Sequence, residues 1–438
     1  MRLPLEPVRG MRDVLPPESE AITWLCNRFR EVARSYGYRE ILTPTIERFQ
    51  LFSLKSGEEI RRSMYVFKDK AGREVALRPE VTPSVMRVYL RLLRAQPKPI
   101  RLFYIANVFR YDEPQFGRYR EFLQAGVELI GGGSRHHDLE LLMLLNDYYR
   151  SIGLKDYRFK LGHMTPIRAL CRRAGLSDEE VDRVLHLVDK GMVGEAEEIL
   201  RRRGGVREAE VLKTLVSIGR TSDPERVRRL AEELSEDGWE DVAQGLAELA
   251  SFGEDLRSLG LNFVLDPGFA RGLAYYTGVI FEVEAPGLGI SIAGGGRYDG
   301  LTAVYGGAPE PSTGFAIGIE RTLLALKKQL GNNVLERFSP RPRALLLLLS
   351  PDLLSLGYRV AGELREMLSI TIELDSPSRL SRWLSYAERT GMDYAIVIGK
   401  REASRGVAVV RCLAQWKQVV VPLDDLRNSF SGQGPCIK

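Results

Sequence analysis

The amino-acid sequence predicts an α+β domain that contains a helical insertion and is followed by a smaller α/β domain. Two strand-like runs, Ile105 to Arg110 and Tyr119 to Ile130, flank a turn that contains proline and glycine. From about residue 168 to 256 the pattern changes to helices rich in Glu, Arg and Leu. From about residue 343, short buried-type strands alternate with helical segments, which is typical of a largely parallel sheet.

Length and composition indicate a soluble protein of two or three domains. The 438 residues exceed one typical domain, and 44% hydrophobic with 28% charged residues is ordinary for a globular chain. The longest aliphatic run, Ala344 to Leu349, is far shorter than a membrane span, and the N-terminus lacks a signal-like apolar segment. We therefore expect a cytoplasmic protein. The formal charge of +5 is compatible with nucleic-acid binding but does not require it.

The N-terminal region is predicted to form a helix followed by a strand. Apolar residues recur at helical spacing within Pro17 to Ser35, and Gly37 can end that helix. Tyr38 to Ile46 is predicted to form a strand, with Pro44 marking where it ends. Packing of this helix within its own subunit is one interpretation, and a role in an interface between two copies is the other.

The predicted insertion carries a helix-start signal and a basic cluster. Ser177 and Glu180 have the spacing of a capping box. The cluster Arg201, Arg202 and Arg203 is more typical of a solvated helix end than of a binding site.

Arginines surround the turn of the predicted hairpin. Guanidinium groups match phosphate oxygens in a bidentate manner and keep their charge at any working pH, so Arg110 and Arg118 favour a polyanionic ligand. Strand alternation would place Arg118, Arg120 and Phe122 on one face. An isolated turn of this kind is more often a solvated surface hairpin.

The segment from Phe109 to Gln124 resembles motif 2 of the class II aminoacyl-tRNA synthetases. Its Phe-Arg, Pro-Gln and Gly-Arg-Tyr-Arg-Glu-Phe pieces are similar to those of the histidyl-tRNA synthetase family. The resemblance implies that Arg110 holds the α-phosphate of ATP and the substrate carboxylate. It further implies that Arg118 holds the outer phosphates and that Phe122 stacks on adenine.

Two further segments resemble the amino-acid site of that family. Leu77 to Thr82 is similar to the element in which a carboxylate and a hydroxyl, here Glu80 and Thr82, bind the substrate α-amino group. Gln124, Gly126 and Glu128 follow at period-two spacing and should face one side of a strand. Glu128 would accept the imidazole N–H, because a buried carboxylate needs a donor or a cation. A salt bridge with a neighbouring arginine is the alternative for Glu128.

Ala270 to Gly278 resembles the histidine-specific motif of the family. The resemblance implies that Arg271 stabilises charge on the reacting carboxylate and α-phosphate, which makes Arg271 and Arg110 the expected catalytic residues. Tyr275 and Tyr276 would contact histidine, with Tyr276 closing on the imidazole. Alternatively, both tyrosines are ordinary sheet aromatics.

Ala293 to Leu301 adds glycines that allow close approach of the backbone to a ligand. The spacing is neither that of a dinucleotide fingerprint nor that of a P-loop. Gly314 to Arg321 resembles motif 3, which implies that Arg321 binds the γ-phosphate from a helix N-terminus.

The C-terminal strands are predicted at Ala344 to Leu349, Thr371 to Leu374, Tyr394 to Ile398 and Val407 to Val410. Tyr386-Ala387-Glu388, Tyr394 to Gly399 and Gln418-Val419 resemble the anticodon-binding domain of histidyl-tRNA synthetases and related enzymes. The family resemblance implies a catalytic domain on a mixed, mainly antiparallel sheet over 1–328 and a linker over 329–342. An anticodon-binding domain over 343–430 and a tail over 431–438 complete this division. It also makes the N-terminal helix-strand unit motif 1, which builds a homodimer interface.

Three positions depart from the family pattern. Ala274 replaces a usual Asp, Glu113 replaces an Arg before Pro-Gln, and Leu123 replaces a larger residue before Gln124. None of these changes removes a charge expected to touch substrate, so we interpret them as lineage variation.

The resemblance implies a histidine–tRNA ligase that forms histidyl-adenylate and pyrophosphate from histidine and ATP and then charges tRNA(His). The alternative is a non-catalytic histidine-binding paralogue such as the regulatory subunit of ATP phosphoribosyltransferase. That paralogue typically lacks the C-terminal domain and much of the arginine set, whereas Arg110, Arg118, Arg271 and Arg321 are all present here.

The expected ligands are histidine, ATP with Mg²⁺, and tRNA(His). Mg²⁺ would be held mostly by phosphate oxygens, and no organic cofactor is expected. The four cysteines are far apart and lack paired spacing, and the four histidines form no ligand pattern. We therefore predict neither a protein metal site nor a disulfide framework.

Overall fold

The computed structural model describes residues 5–53, 63–113, 117–272, 275–331, 334–335 and 341–431. Several predicted features lie outside the described residues: Ala274, the Pro-Gln-Phe part of the hairpin turn at 114–116, linker residues 332–333 and 336–340, and the tail from 432. The chain divides into two compact units, Met1–Arg337 and Phe338–Lys438.

The helices of the N-terminal unit enclose its sheets and form the insertion. They are α1 (Glu18–Ser35), α2 (Phe49–Ser53), α3 (Thr82–Val88), α4 (Arg135–Ser151), α5 (Met164–Arg173), α6 (Asp178–Asp189), α7 (Val193–Arg202), α8 (Val206–Ile218), α9 (Pro224–Glu236), α10 (Glu240–Ser258), α11 (Leu301–Val304) and α12 (Ile319–Leu330). A π-helical stretch, Tyr89–Leu93, continues α3.

The strands of this unit form a large sheet and a small one. They are β1 (Arg39–Glu40), β2 (Ile46–Arg48), β3 (Val66–Lys68), β4 (Glu74–Leu77), β5 (Ile100–Phe109), β6 (Glu121–Ile130), β7 (Arg158–His163), β8 (Phe263–Leu265), β9 (Val279–Glu284), β10 (Ser291–Arg297) and β11 (Ser312–Gly318).

The eight-stranded sheet has the order β1-β5-β6-β11-β10-β9-β7-β8. Its β1–β5 and β7–β8 pairs are parallel and its remaining pairs are antiparallel. The prediction of a mixed, mainly antiparallel sheet is confirmed. The small antiparallel sheet has the order β2-β4-β3.

The predicted strand Tyr38 to Ile46 is wrong as a single element. The chain instead forms β1 and β2, which belong to different sheets. Pro44 lies between them and has no backbone N–H, so it cannot continue a strand ladder.

Helix α1 packs within its own subunit through its apolar face. Phe29 is fully buried, and its ring makes edge-to-face contacts with Phe103 of β5, Tyr148 of α4 and Phe315 of β11, at centroid distances of 6.2, 5.4 and 6.3 Å. Such contacts fix the helix against the back of the sheet. The front of the sheet is thereby left for a cavity.

The helical insertion is present and comprises α5 to α10. The Ser177–Glu180 capping box forms, because Ser177 Oγ accepts from Glu180 N–H at 3.4 Å and Glu180 Oε2 accepts from Ser177 N–H at 2.8 Å. Arg202 pairs with Glu198 at 2.5 Å and Arg203 with Glu180 at 2.7 Å. These exposed pairs are those of an ordinary solvated helix end.

The C-terminal unit contains one mixed sheet between helices. Its strands are β12 (Arg343–Leu348), β13 (Ser369–Leu374), β14 (Tyr394–Ile398), β15 (Val407–Cys412) and β16 (Lys417–Pro422), and its helices are α13 (Leu354–Leu364), α14 (Leu380–Arg389), α15 (Lys400–Ser404) and α16 (Leu426–Phe430). Strands β13, β12 and β14 are parallel, whereas β15 and β16 are antiparallel. The expectation of a largely parallel sheet holds only for the first three strands.

Two observations concern the chain as a whole. Within the described residues, no helix combines the length and the apolar character needed to cross a membrane. Cys26 and Cys171 are buried free thiols, whereas Cys412 is disulfide-bonded, which the cysteine spacing did not indicate.

Candidate active site

A cavity of about 660 Å³ opens on the front of the eight-stranded sheet. It is lined by nearly all of the predicted site residues: Glu80, Thr82, Arg110, Arg118, Phe122, Gln124, Arg271, Tyr275, Tyr276 and Arg321. Gly126 and Glu128 lie outside the lining. Four arginines from three separate segments therefore converge on one space.

The β5–β6 hairpin positions Arg110 beside Phe122. Arg110 Nε donates to the carbonyl of Pro79 at 3.0 Å, and its guanidinium carbon lies 5.7 Å from the centre of the Phe122 ring. The aromatic ring and the carbonyl hold a cation at the end of β5 without neutralising its charge. Arg118 is exposed at the cavity wall.

Arg120 does not share this face, which corrects the expected alternation. It is buried, with Nε donating to the carbonyl of Asp112 at 3.0 Å and its guanidinium 3.8 Å from the Tyr111 ring centre. Strand β6 begins only at Glu121, so the period-two rule does not apply to the residues before it.

Arg321 enters the cavity from the first turn of α12. Its Nε donates to the carbonyl of Gly117 and its Nη1 to the carbonyl of Ser291, both at 3.1 Å. Burial, together with the charges of Arg110 and Arg118, lowers the pKa of Arg321 to about 10. The group remains protonated at neutral pH, and an anion bound among the three cations would relieve their repulsion.

The guanidinium of Arg271 lies directly over Gly294 of β10. Its Nη1 donates to the carbonyl of Phe281 at 3.1 Å and lies 3.5 Å from Glu282 Oε1. A Cβ on Gly294 would come within 1.8 Å of Arg271 Nη1. Only glycine at this position leaves room for the guanidinium, which explains one member of the glycine run in β10.

The opposite part of the cavity carries carboxylates and hydroxyls. Tyr275 Oη donates to Glu80 Oε2 at 3.0 Å, and Thr82 Oγ1 donates to Glu128 Oε1 at 2.6 Å. Tyr298 Oη donates to the other oxygen of Glu128. Thr82 and Tyr298 line the cavity, so they connect Glu128 to it.

Glu128 is 1% exposed and is held by hydroxyls rather than by a cation. Burial raises its pKa well above the usual range. No cationic side chain in the described part of the chain forms an ion pair with it, so the alternative of an arginine salt bridge is wrong. A carboxylate in this state favours a ligand that donates N–H or carries positive charge.

Gly126 is needed because its position has no room for a side chain. A Cβ there would lie 2.4 Å from the carbonyl oxygen of Phe315 and 2.5 Å from Tyr104 Oη. Gln124 Oε1 is buried, lines the cavity and has no hydrogen-bond partner among the described residues. This oxygen is thus available to a ligand.

Sequence reasoning missed several lining residues, among them Tyr104, Lys160, Asp189, Asp266, Glu282 and Tyr298. Tyr298 belongs to the Gly-rich segment 293–301, so its motif was noticed although its role was not. Lys160 and Glu282 gave no local signal beyond a charge inside a strand pattern, because their proximity depends on β7 pairing with β9. Asp189 comes from the end of α6 in the insertion.

Two of the three positions that depart from the family pattern, Glu113 and Leu123, are bonded to residues distant in the sequence. Glu113 pairs with Arg9 at 3.1 Å, and both side chains are largely exposed. The backbone N–H of Leu123 donates to the Glu320 carboxylate at 3.0 Å. In the described part of the chain, no group of three or more His, Cys, Asp or Glu residues could hold a metal ion.

Two family models match this chain, one within each of its two compact units. The family model described as histidyl-tRNA synthetase matches residues 10–322, and that described as anticodon binding domain matches residues 344–432. The histidine–tRNA ligase of Sulfolobus acidocaldarius is 42% identical over 97% of both chains.

Two solved structures are similar along most of their length. A histidyl-tRNA synthetase from Nostoc sp. PCC 7120 has a TM-score of 0.79 at 22% identity, covering 98% of this chain and 99% of that one. An ATP phosphoribosyltransferase regulatory subunit/histidyl-tRNA synthetase from Bacillus halodurans has a TM-score of 0.72 at 25% identity, covering 91% and 99%.

Proposed function

The chain belongs to the histidyl-tRNA synthetase family, and on that premise we propose how its cavity works as a histidine–tRNA ligase. As an aminoacyl-tRNA ligase, the protein activates histidine with ATP and transfers it to the 3′ end of tRNA(His). The observation that carries the assignment of the site is the convergence of Arg110, Arg118, Arg271 and Arg321 on one cavity beside buried carboxylates.

ATP occupies the arginine-rich part of the cavity in this proposal. Arg110 binds the α-phosphate, Arg118 the outer phosphates and Arg321 the γ-phosphate, while the adenine stacks on Phe122. Burial and then the repulsion of Arg110 and Arg118 lower the pKa of Arg321, and that repulsion among three cations supports an anionic ligand here. Mg²⁺ enters with the nucleotide and is held mostly by phosphate oxygens, and no organic cofactor is required.

Histidine occupies the part that carries hydroxyls and carboxylates. Glu80 and Thr82 bind the α-amino group, and Gln124 has an unpaired buried oxygen to offer. Tyr275 and Tyr276 enclose the imidazole, and Gly126 leaves room for it. Glu128 accepts the imidazole N–H, since each of its oxygens has a second lone pair beyond those used by Thr82 and Tyr298.

Adenylate formation is an in-line attack of the histidine carboxylate on the α-phosphorus, with pyrophosphate as the leaving group. No protein nucleophile is needed, and the protein contributes positioning and charge neutralisation. Arg271 and Arg110 act on the charge that develops on the α-phosphate. Pre-positioned cations contribute strongly to such a step because they do not reorganise during it.

The remaining assignments concern assembly. We propose a catalytic domain over 1–328, a linker over 329–342, an anticodon-binding domain over 343–430 and a tail over 431–438, in a cytoplasmic homodimer. Exposed apolar side chains near motif 1 support a dimer, including Leu42 at 83% and Ile46 at 50% exposure.

The test is histidine-dependent exchange of labelled pyrophosphate into ATP. A ligase exchanges label only when histidine is present, and other amino acids serve as the specificity control. A binding-only paralogue would show no exchange. The arginine set and the C-terminal domain both favour the ligase over that paralogue.

A further inference from the structure

A buried lysine in the cavity has no role in the reaction described so far. Lys160 is 9% exposed and lies in the middle of β7. Its Nζ lies 3.6 Å from the centre of the Phe269 ring and 3.4 Å from Glu282 Oε2. A cation withdrawn from water to this degree needs a charged partner, and Glu282 of β9 forms an ion pair with it, while Asp266 of the same cavity adds a second favourable charge.

Glu282 is shared between two cations. Lys160 stands directly opposite Glu282 in the β7–β9 ladder and approaches Oε2. Arg271 approaches Oε1, with its Nη1 at 3.5 Å. Both separations exceed the 2.7–2.9 Å of a tight charge-assisted hydrogen bond. Neither cation therefore forms a tight ion pair with Glu282.

The sharing of Glu282 between two cations affects how tightly Glu282 binds Arg271. Its shorter bond, at 3.1 Å, is to the neutral carbonyl of Phe281, and Gly294 leaves it free to lie along β10. If Glu282 had no second cation, it would draw Arg271 into a tight ion pair. An arginine neutralised in this way stabilises less of the charge that develops on a substrate.

We propose that Lys160 is a positioning residue that keeps Arg271 available to substrate by satisfying Glu282 from the other side. Lys160 acts through Glu282 and does not contact the reacting atoms. The inference rests on the role proposed for Arg271 in adenylate formation. It adds a charge-balancing triad, Lys160–Glu282–Arg271, to that role.

The first experiment replaces Lys160 with methionine, which keeps much of the stem that packs on Phe269. The rate constant of pyrophosphate exchange should fall about tenfold or more, with a smaller change in the KM for histidine, and Lys160→Arg should retain most of the rate. The matched control is Arg158→Met, which removes the cation from the neighbouring Arg158–Glu284 pair of the same ladder, outside the cavity lining. That variant should exchange at the wild-type rate.

The second experiment is the double variant Lys160→Met/Glu282→Gln. E282Q removes the carboxylate that forms an ion pair with Arg271, so exchange by the double variant should recover from the K160M level to about that of E282Q alone. Multiplicative losses would overturn the proposal, as would a K160M rate equal to wild type. If K160M does not fold, the double variant removes both charges of the Lys160–Glu282 pair and decides the question by the same comparison with E282Q. Wild-type protein without histidine-dependent exchange would instead refute the proposed function.

Discussion

The two units of this chain are built on sheets whose buried residues differ in kind. In the C-terminal unit, Ala344 to Leu348 of β12 are all fully buried and apolar, with apolar clusters on both faces of the sheet. In the N-terminal unit, the buried strands also carry Glu128, Lys160 and Arg297, each less than 10% exposed. The first sheet is a packing core, and the second is a core on one side and a polar site on the other.

The alternation of β5 shows how one strand serves both purposes. Phe103 packs against Phe29 of α1, while its neighbour Tyr104 lines the cavity. Buried charges in this sheet need partners, and Arg297 of β10 has them in Asp138 at 2.7 Å and Asp299 at 3.1 Å. Damage to the apolar sheet should therefore appear as lost stability, and damage to the polar side as lost chemistry.

The largest effect on stability is expected from Leu346→Ala in β12. Removing a fully buried leucine should lower the free energy of unfolding of the C-terminal unit by about 2–5 kcal/mol, measured by chemical denaturation. Pyrophosphate exchange should persist, and charging of tRNA should decline. The control is Val420→Ala in β16, whose side chain is 62% exposed and should matter by about 0.5 kcal/mol or less.

Arg271→Ala should produce the largest chemical effect with little loss of stability. Adenylate formation should slow by about 10²–10³-fold, because a pre-positioned cation is lost from the transition state. Single-turnover measurement of adenylate and equilibrium binding of histidine separate the two effects. Equal losses of rate and of histidine affinity would contradict a transition-state role for Arg271.

Glu128→Gln should weaken histidine binding by about 1–3 kcal/mol, since an acceptor for the imidazole is replaced by a weaker one. Selection against other amino acids should weaken with it. Unchanged discrimination would remove Glu128 from the histidine site.

Glu128→Gln should also change how the free energy of unfolding depends on pH. Burial raises the pKa of Glu128, so the folded state carries a penalty for the ionised form above that pKa. The penalty disappears as the pH falls through the raised value toward that of the unfolded chain. Glu128→Gln should therefore be more stable than wild type at high pH, and the advantage should vanish under acidic conditions. A pH-independent difference in the free energy of unfolding would show that folding does not raise the pKa of Glu128.

The smallest effect is expected at the exposed helix end of the insertion. Arg202→Ala removes an i,i+4 pair with Glu198 and should change stability by about 0.5 kcal/mol or less, with exchange unchanged. Charging kinetics with tRNA provide the sharper measurement. A marked rise in the KM for tRNA would show that the cluster at 201–203 contacts RNA.

Local patterns were sufficient for the main elements. The apolar runs predicted β12 to β15 within a few residues but missed β16, and the capping box correctly marked the start of α6. The family motifs placed most of the site residues around one cavity. The same local rules failed for Arg120, whose side chain turns away before β6 begins, and for the strand that Pro44 divides.

Periodicity and motif chemistry are local properties, so the linear chain was enough to predict the class of each domain and the kinds of charge at the site. Which charges meet depends on the folded arrangement of the strands. The partners Lys160 and Glu282, or Glu128 and Tyr298, are more than a hundred residues apart and become neighbours only through strand order and register. Electrostatic balance in the cavity depends on those distances, so the charge state offered to a substrate emerges only with the fold.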